Sequence, residues 1–160
     1  SEAGALIMSN GPFLEVAVRE AGQRVGAFSG QDLEAKSGNL EIDVRVQSPN
    51  WIDIDRVFVL VNGRIHPDHH YRKETHPNLF RSGVVKFDQK LSLKLDRDAH
   101  VIVVAGAENS TLGVIHGPTW GQHRPAAFIN PVFVDIDGNG FEPNKDTLGQ
   151  PLPVKYGAKK

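Results

Sequence analysis

NLEIDVRVQ, residues Asn39–Gln47, alternates apolar and polar side chains without a break. Leu40, Ile42, Val44 and Val46 fall on one side, and Glu41, Asp43, Arg45 and Gln47 on the other. A period of two belongs to a strand with one face in the core and one in water. The same alternation recurs outward from this stretch. In 13–18, Leu14, Val16 and Val18 share a face. In 85–95, Val85, Phe87, Leu91, Leu93 and Leu95 point one way, while Lys86, Asp88, Lys90, Ser92 and Lys94 point the other. Two segments, DRVFVLV (55–61) and VIVVA (101–105), are apolar on both faces, the pattern of central strands covered on both sides. Asn62-Gly63 ends the first of them with a turn, and 132–136 supplies a further strand. Periodicity at three and four residues is missing, apart from a candidate helical turn at 29–35.

Six or more strands separated by Gly, Pro and Asn turns predict an all-β fold, an antiparallel β-sandwich of immunoglobulin-like or jelly-roll type. A closed barrel gives the same alternation, but the two doubly apolar segments favour the sandwich. The 160 residues suit one domain over 1–153, followed by a loose tail at 154–160.

With 18 basic and 19 acidic residues interspersed to a net charge of −1, the sequence carries no electrostatic footprint for nucleic acid or an anionic membrane. No apolar run approaches the roughly 18 residues of a membrane span, and no signal-peptide pattern opens the chain. The chain starts at Ser1 and its only methionine is Met8, which suggests a processed or excised piece. The absence of cysteine excludes disulfides and thiolate metal sites and leaves the compartment open.

The densest chemistry lies in VDIDGNGFEPNKD, 134–146. Counted from Asp135, the first, third, fifth and twelfth positions of a twelve-residue loop are Asp135, Asp137, Asn139 and Asp146, with Gly140 sixth and the Phe141 carbonyl seventh. This is the oxygen-ligand grammar of an EF-hand-type calcium loop. Asp146 replaces the usual bidentate Glu, Pro143 offers no side-chain oxygen at the ninth position, and the flanks are not helical. The competing reading is a hairpin turn with a solvated acidic rim, since Asp-Gly and Asn-Gly are strong turn dipeptides.

Two long connections interrupt the strands. The first, 62–83, holds His66, His69, His70 and His76 with Asp68 and Glu74. Neutral imidazoles there could bind a transition metal, but irregular spacing around Pro67 and Pro77 favours a solvated polar loop. The second, 108–130, contains His116, Trp120 and His123. Trp120 is either a stacking platform for a ligand such as a sugar ring or, as its Gly/Pro surroundings favour, a cap on the sandwich end. Nucleophilic catalysis has no foothold: there is no cysteine, G-x-S-x-G elbow, H-E-x-x-H helix or P-loop. The carboxylate pairs Asp53/Asp55 and Asp96/Asp98 fall at strand edges, where charge serves solubility.

The segments SNGPFLEVAV (9–18), WIDIDRVFVLVNGR (51–64), DAHVIVVAGAENS (98–110) and AFINPVFVDIDGNGFEP (127–143) resemble, in order and spacing, the C-terminal domain of PHP-type metal-dependent phosphoesterase-like proteins, the CehA/McbA-type bacterial metallohydrolases. In that family a PHP barrel carrying metal-binding His and Asp residues, beginning with an H-x-H pattern, precedes a β-rich domain. The present chain corresponds to the second part alone. HPDHH is not H-x-H, so no catalytic metal ligand carries over to any residue here. The resemblance implies a non-catalytic accessory domain whose partner is the N-terminal PHP-type catalytic domain, and it strengthens the reading of Asp135, Asp137, Asn139, Phe141 and Asp146 as a structural calcium site. Two alternatives stand beside it: a calcium-dependent carbohydrate-binding module using Trp51 or Trp120, and a small metalloenzyme using the His-rich loop. A weak calcium loop fits an extracytoplasmic setting, where calcium is millimolar.

Overall fold

In the computed structural model, which describes residues 6–150, the alternation at 39–47 becomes the middle strand of a three-stranded antiparallel sheet. The strands are β1 (Ile7–Ser9), β2 (Phe13–Glu20), β3 (Asp32–Glu34), β4 (Asn39–Gln47), β5 (Arg56–Val61), β6 (Arg64–Arg72), β7 (Val85–Lys94), β8 (Ala99–Gly106), β9 (Ala126–Ile129) and β10 (Val132–Asp135). Among the described residues, helix is confined to α1 (Gly117–Trp120) and two 3-10 turns. None of these helices is long and apolar enough to cross a membrane. The tail expected at 154–160, and the end of the unit expected over 1–153, lie outside the described residues.

One sheet runs β2-β4-β7. The other runs β6-β5-β8, after which β9 and β10 lie end to end along the second edge of β8; β1 then pairs with β9, and β3 pairs in parallel with β10. The architecture is the expected all-β sandwich of two mostly antiparallel sheets rather than a barrel. Leu14, Val18, Leu40, Ile42, Val44, Val46, Phe87, Leu91 and Leu93 from the first sheet meet Val57, Val59, Val101, Val103, Ala105, Ile129, Val132 and Val134 from the second.

The structure corrects several expectations. The connection at 62–83 begins as a strand: Asn62 and Gly63, with φ of 50° and 78°, form a two-residue turn of the I′ kind that folds β6 back on β5. Pro67 hid this strand, because proline reads as a breaker. It is tolerated because β6 is an edge strand and the register slips between Phe58 and Leu60, leaving an irregularity that absorbs it. The candidate helical turn at 29–35 is instead β3. The outer face of β5 is not covered by a second layer: Phe58 and Leu60 are half-buried, and the Arg56 guanidinium lies over the Phe58 ring at 4.7 Å. Val85 does not face the core either. A bulge opposite Val46 and Gln47 shifts the phase of β7, so that Lys86 is buried and Val85 only partly so.

Ile42 is fully buried at the centre of the middle strand of its sheet. Ile42→Ala is expected to lower unfolding free energy by about 2 to 5 kcal/mol in urea titration. A loss below about 1 kcal/mol would contradict this account of the core.

Candidate functional site

The Asp-rich segment leaves the sandwich at the end of β10. Asp135 is held there by the β10–β3 pairing, in register with Glu34. Its carboxylate folds the following turn around itself, accepting the Gly138 N–H at 2.7 Å and the Gly140 N–H at 2.8 Å. Desolvation works to raise its pKa, but these donors outweigh it and hold the carboxyl below its ordinary range. Asp137 accepts from the backbone N–H and the side-chain amide of Asn139, at 3.2 and 2.9 Å.

A residue that spacing could not associate with this loop completes the cluster. Asp98, in the turn between β7 and β8, accepts the Ile136 N–H at 2.9 Å and the Glu142 N–H at 2.8 Å, clamping both sides of the segment. Oxygens of Asp98, Asp135 and Asp137 lie within 4.8 Å of one another, a group that could hold a metal ion. Beside it opens a cleft of about 370 Å³, whose lining includes four acidic residues, Asp96, Asp98, Asp137 and Glu142, and one cation, Arg97. One other sequence-derived ligand is turned elsewhere. Asp146 pairs with Arg64 at 2.7 Å, and that guanidinium, with the Leu148 N–H, lowers its pKa. The Phe141 ring packs on Phe133, with centroids 5.0 Å apart. Lys36, paired with Glu34 at 2.8 Å, supplies positive charge on the opposite flank.

The histidines do not converge on an open position. His69 is 7% exposed and reaches from β6 to β7 in the facing sheet, with Nε2 3.0 Å from the Ser92 carbonyl. A carbonyl only accepts, so Nε2 carries the proton and Nδ1 accepts from the Tyr71 hydroxyl at 2.9 Å. His70 Nε2 accepts from the Arg56 Nε–H at 2.9 Å. His76 lies against Thr75 and edge-on to Tyr71. His66 stacks on His69 at 4.9 Å, and its Nδ1 is buried with no hydrogen-bond partner among the described residues.

The other candidates also change role. Asp55 accepts the Glu108 and Asn109 N–H groups at 2.7 and 2.9 Å, fastening the long loop after β8, and Asp53 pairs with Lys73 at 2.8 Å. Trp120 does not cap the sandwich: it is 65% exposed, and Leu112 and Ile52 are buried at that end instead. Trp51, 59% exposed, lies in the β4–β5 connection at the same end.

No family model, no curated protein and no solved structure matches this chain.

Burial lowers the pKa of His69, His70 and His100; the Arg56 and Arg72 charges add to the effect at His70, while the Ser92 carbonyl partly opposes it at His69. Each imidazole takes up a proton more readily unfolded, near pH 6.5, than folded. Stability is therefore full above about pH 6.5 and is lost as pH falls from there toward the folded pKa values. Thermal melts between pH 7.5 and 5.5 should show a falling Tm, with a shallower slope in His69→Gln. An unchanged slope in that variant would remove His69 from the account.

Proposed function

We propose that this chain is a non-catalytic accessory module of immunoglobulin-like strand order, attached to a PHP-type metal-dependent hydrolase and stapled by calcium at its Asp-rich turn. The observation that carries the reading is the meeting of Asp98 with Asp135 and Asp137, two turns distant in sequence, at the mouth of an acidic cleft. Hard carboxylate oxygens at this spacing suit calcium rather than a soft transition metal. The bound ion would neutralise three like charges and tie the β7–β8 turn to the segment after β10, which bears on the position of everything downstream of Ile136. Asp146 enters such a site only by exchanging its Arg64 partner for the ion. The strand order supports the immunoglobulin-like part of the reading: one sheet of three strands faces another in which β5 and β8 are central neighbours, with a short early strand in parallel on the last one.

The accessory role is supported by how the polar groups are used. Both ring nitrogens of His69, the Nε2 of His70 and the carboxylate of Asp55 are engaged in closing the fold, and among the described residues the histidines form no three-ligand cluster. One observation favours a second reading, a carbohydrate-binding module: Trp51 and Trp120 are both exposed at the end of the sandwich opposite the Asp cluster.

Calcium at about a hundredfold above its Kd should raise the Tm by about 5 to 10 °C relative to chelator. Asp98→Asn and Asp137→Asn should each remove most of that shift. Equal melts in calcium and chelator, or a full shift in both variants, would refute the calcium site. For the accessory role, the purified chain should leave a generic phosphodiester intact with zinc or manganese present. Turnover that survives repurification and disappears in His69→Gln would overturn it.

A further inference from the structure

The sandwich has four strand edges, and three are protected. On β7, Phe80 bridges to Phe87, the Ser92 carbonyl is taken by His69, and the open stretch between them carries the charged Asp88 and Lys90. The β6 edge is broken by its irregularity and Pro67. At the far side of that sheet the edge strands β1 and β3 are three residues each. These are the ordinary ways of blunting an edge against added strands.

The β2 edge is different. Residues of an antiparallel strand direct their backbone groups alternately to the two sides. The Ala21 N–H donates to the Asn39 carbonyl at 2.8 Å, and stepping back by twos assigns Arg19, Ala17, Glu15 and Phe13 to β4. Val18, Val16 and Leu14 therefore point outward. Val18 exchanges both backbone bonds with Ala27, at 2.9 and 2.7 Å. The chain then crosses to the other sheet: the Ser29 hydroxyl donates to the Leu6 carbonyl and accepts the Asn130 N–H at 2.9 Å. The line that Ala27 begins is abandoned beside Val16 and Leu14. Neither residue's N–H or carbonyl has a partner among the described residues outside the β2–β4 ladder.

Beside Val16 lies a cleft of about 680 Å³, lined there by Val16 and Ala17 of β2 and by Ile7, Phe28 and Ile129 from the opposite bank, and continuing across β4 and β7 past Asp43 and Lys90. Phe28 is 56% exposed and Ile7 36%. We propose that this open edge is a docking site for an extended peptide segment of a partner protein, which adds as a strand beside Leu14 and Val16 and lodges apolar side chains against Ile7, Phe28 and Ile129. Two outward residues at a spacing of two match the hydrogen-bonding repeat of another extended backbone, and the cleft takes the side chains that alternate inward from it.

A second copy of the chain is disfavoured as the occupant. Pairing two β2 edges so that Leu14 and Val16 of each are satisfied centres the two-fold axis on Glu15. Two carboxylates would then face each other directly across the new ladder, which opposes association. Shifting the register by one brings Pro12, which has no N–H, or the already paired Val18 into the ladder.

The test uses the whole 160-residue chain and a phage-displayed library of random peptides about twelve residues long. The expected result is enrichment of sequences with apolar residues at alternate positions. A synthetic copy of an enriched peptide should slow amide exchange at Leu14 and Val16. Its affinity, by fluorescence anisotropy, should fall at least about tenfold in Val16→Pro and in Phe28→Asp. The Val16 N–H faces away from β4, so proline there removes no ladder bond. If that variant fails to fold, Phe28→Asp and the amide exchange decide. Failure to enrich any peptide, binding that both variants retain, or a dimer in sedimentation velocity that Val16→Pro dissolves would each overturn the proposal.

Discussion

Strand β8 has to share one of its edges between two strands, and most of the architecture follows from how it does so. Its buried face is Ala99, Val101, Val103 and Ala105, and β5 fills its other edge from Val61 to Arg56. On the shared edge, Phe128 sits opposite Val104 and Val132 opposite Val101, so three steps along β8 correspond to four along the partner. Asn130-Pro131 absorbs the extra residue. Proline suits the break because its missing N–H asks for no partner where the ladder is interrupted. The break also leaves two short platforms where one long strand would give a continuous row: β9 receives β1 in antiparallel, and β10 receives β3 in parallel. Without it, the beginning of the chain would not be divided between the two ends of the sheet, and Ser29 would not cross over where it does.

The cross-strand alternation of β2 and β4 was legible because these strands have one wet face and one dry face, and side-chain polarity then reports geometry directly. β6 was not, because an edge strand with an irregularity mixes exposed and buried positions, and RIHPDHHYR carries no period to read. β3 was missed for a related reason: three residues cannot establish a period, and a parallel partner about a hundred residues away leaves no local signal. At the Asp-rich turn, spacing located Asp135, Asp137 and Asn139, which the structure keeps together. It had no means of finding Asp98, whose proximity is created by the β8–β10 pairing and not by sequence distance. It also placed Asp146 by its ordinal position in a loop, whereas the side chain is held by Arg64, brought close by the turn that launches β6.

Polar side chains take a direct part in closing this sandwich. Asp98, Asp55, Asn10 and Asn62 each accept backbone N–H groups from distant segments, and His69 joins the two sheets through a carbonyl. Such bonds stabilise by about 1 kcal/mol each, but leaving a buried partner unmet costs more, so their main effect is to fix where loops attach. The loop after β8 illustrates it. Fastened at its base by Asp55, and drawn in at Gly121 so closely that a Cβ would lie 2.4 Å from the Gly113 carbonyl, it holds Val114 97% exposed without collapsing onto the core.

The parallel pairing of β3 with β10 sets an order on synthesis. Asp32 emerges from a ribosome about a hundred residues before Phe133, its partner in the ladder. At about 5 to 20 residues per second, β3 waits on the order of 5 to 20 s for the strand it needs. During that interval the sheet of β2 and β4 can already form, since its first hairpin is local, while the other sheet lacks its last row. Completion of the sandwich is thus tied to the arrival of β10. A chain cut short before β10 would display the apolar flank of β8, a surface on which a chaperone or a protease can distinguish unfinished chains from finished ones.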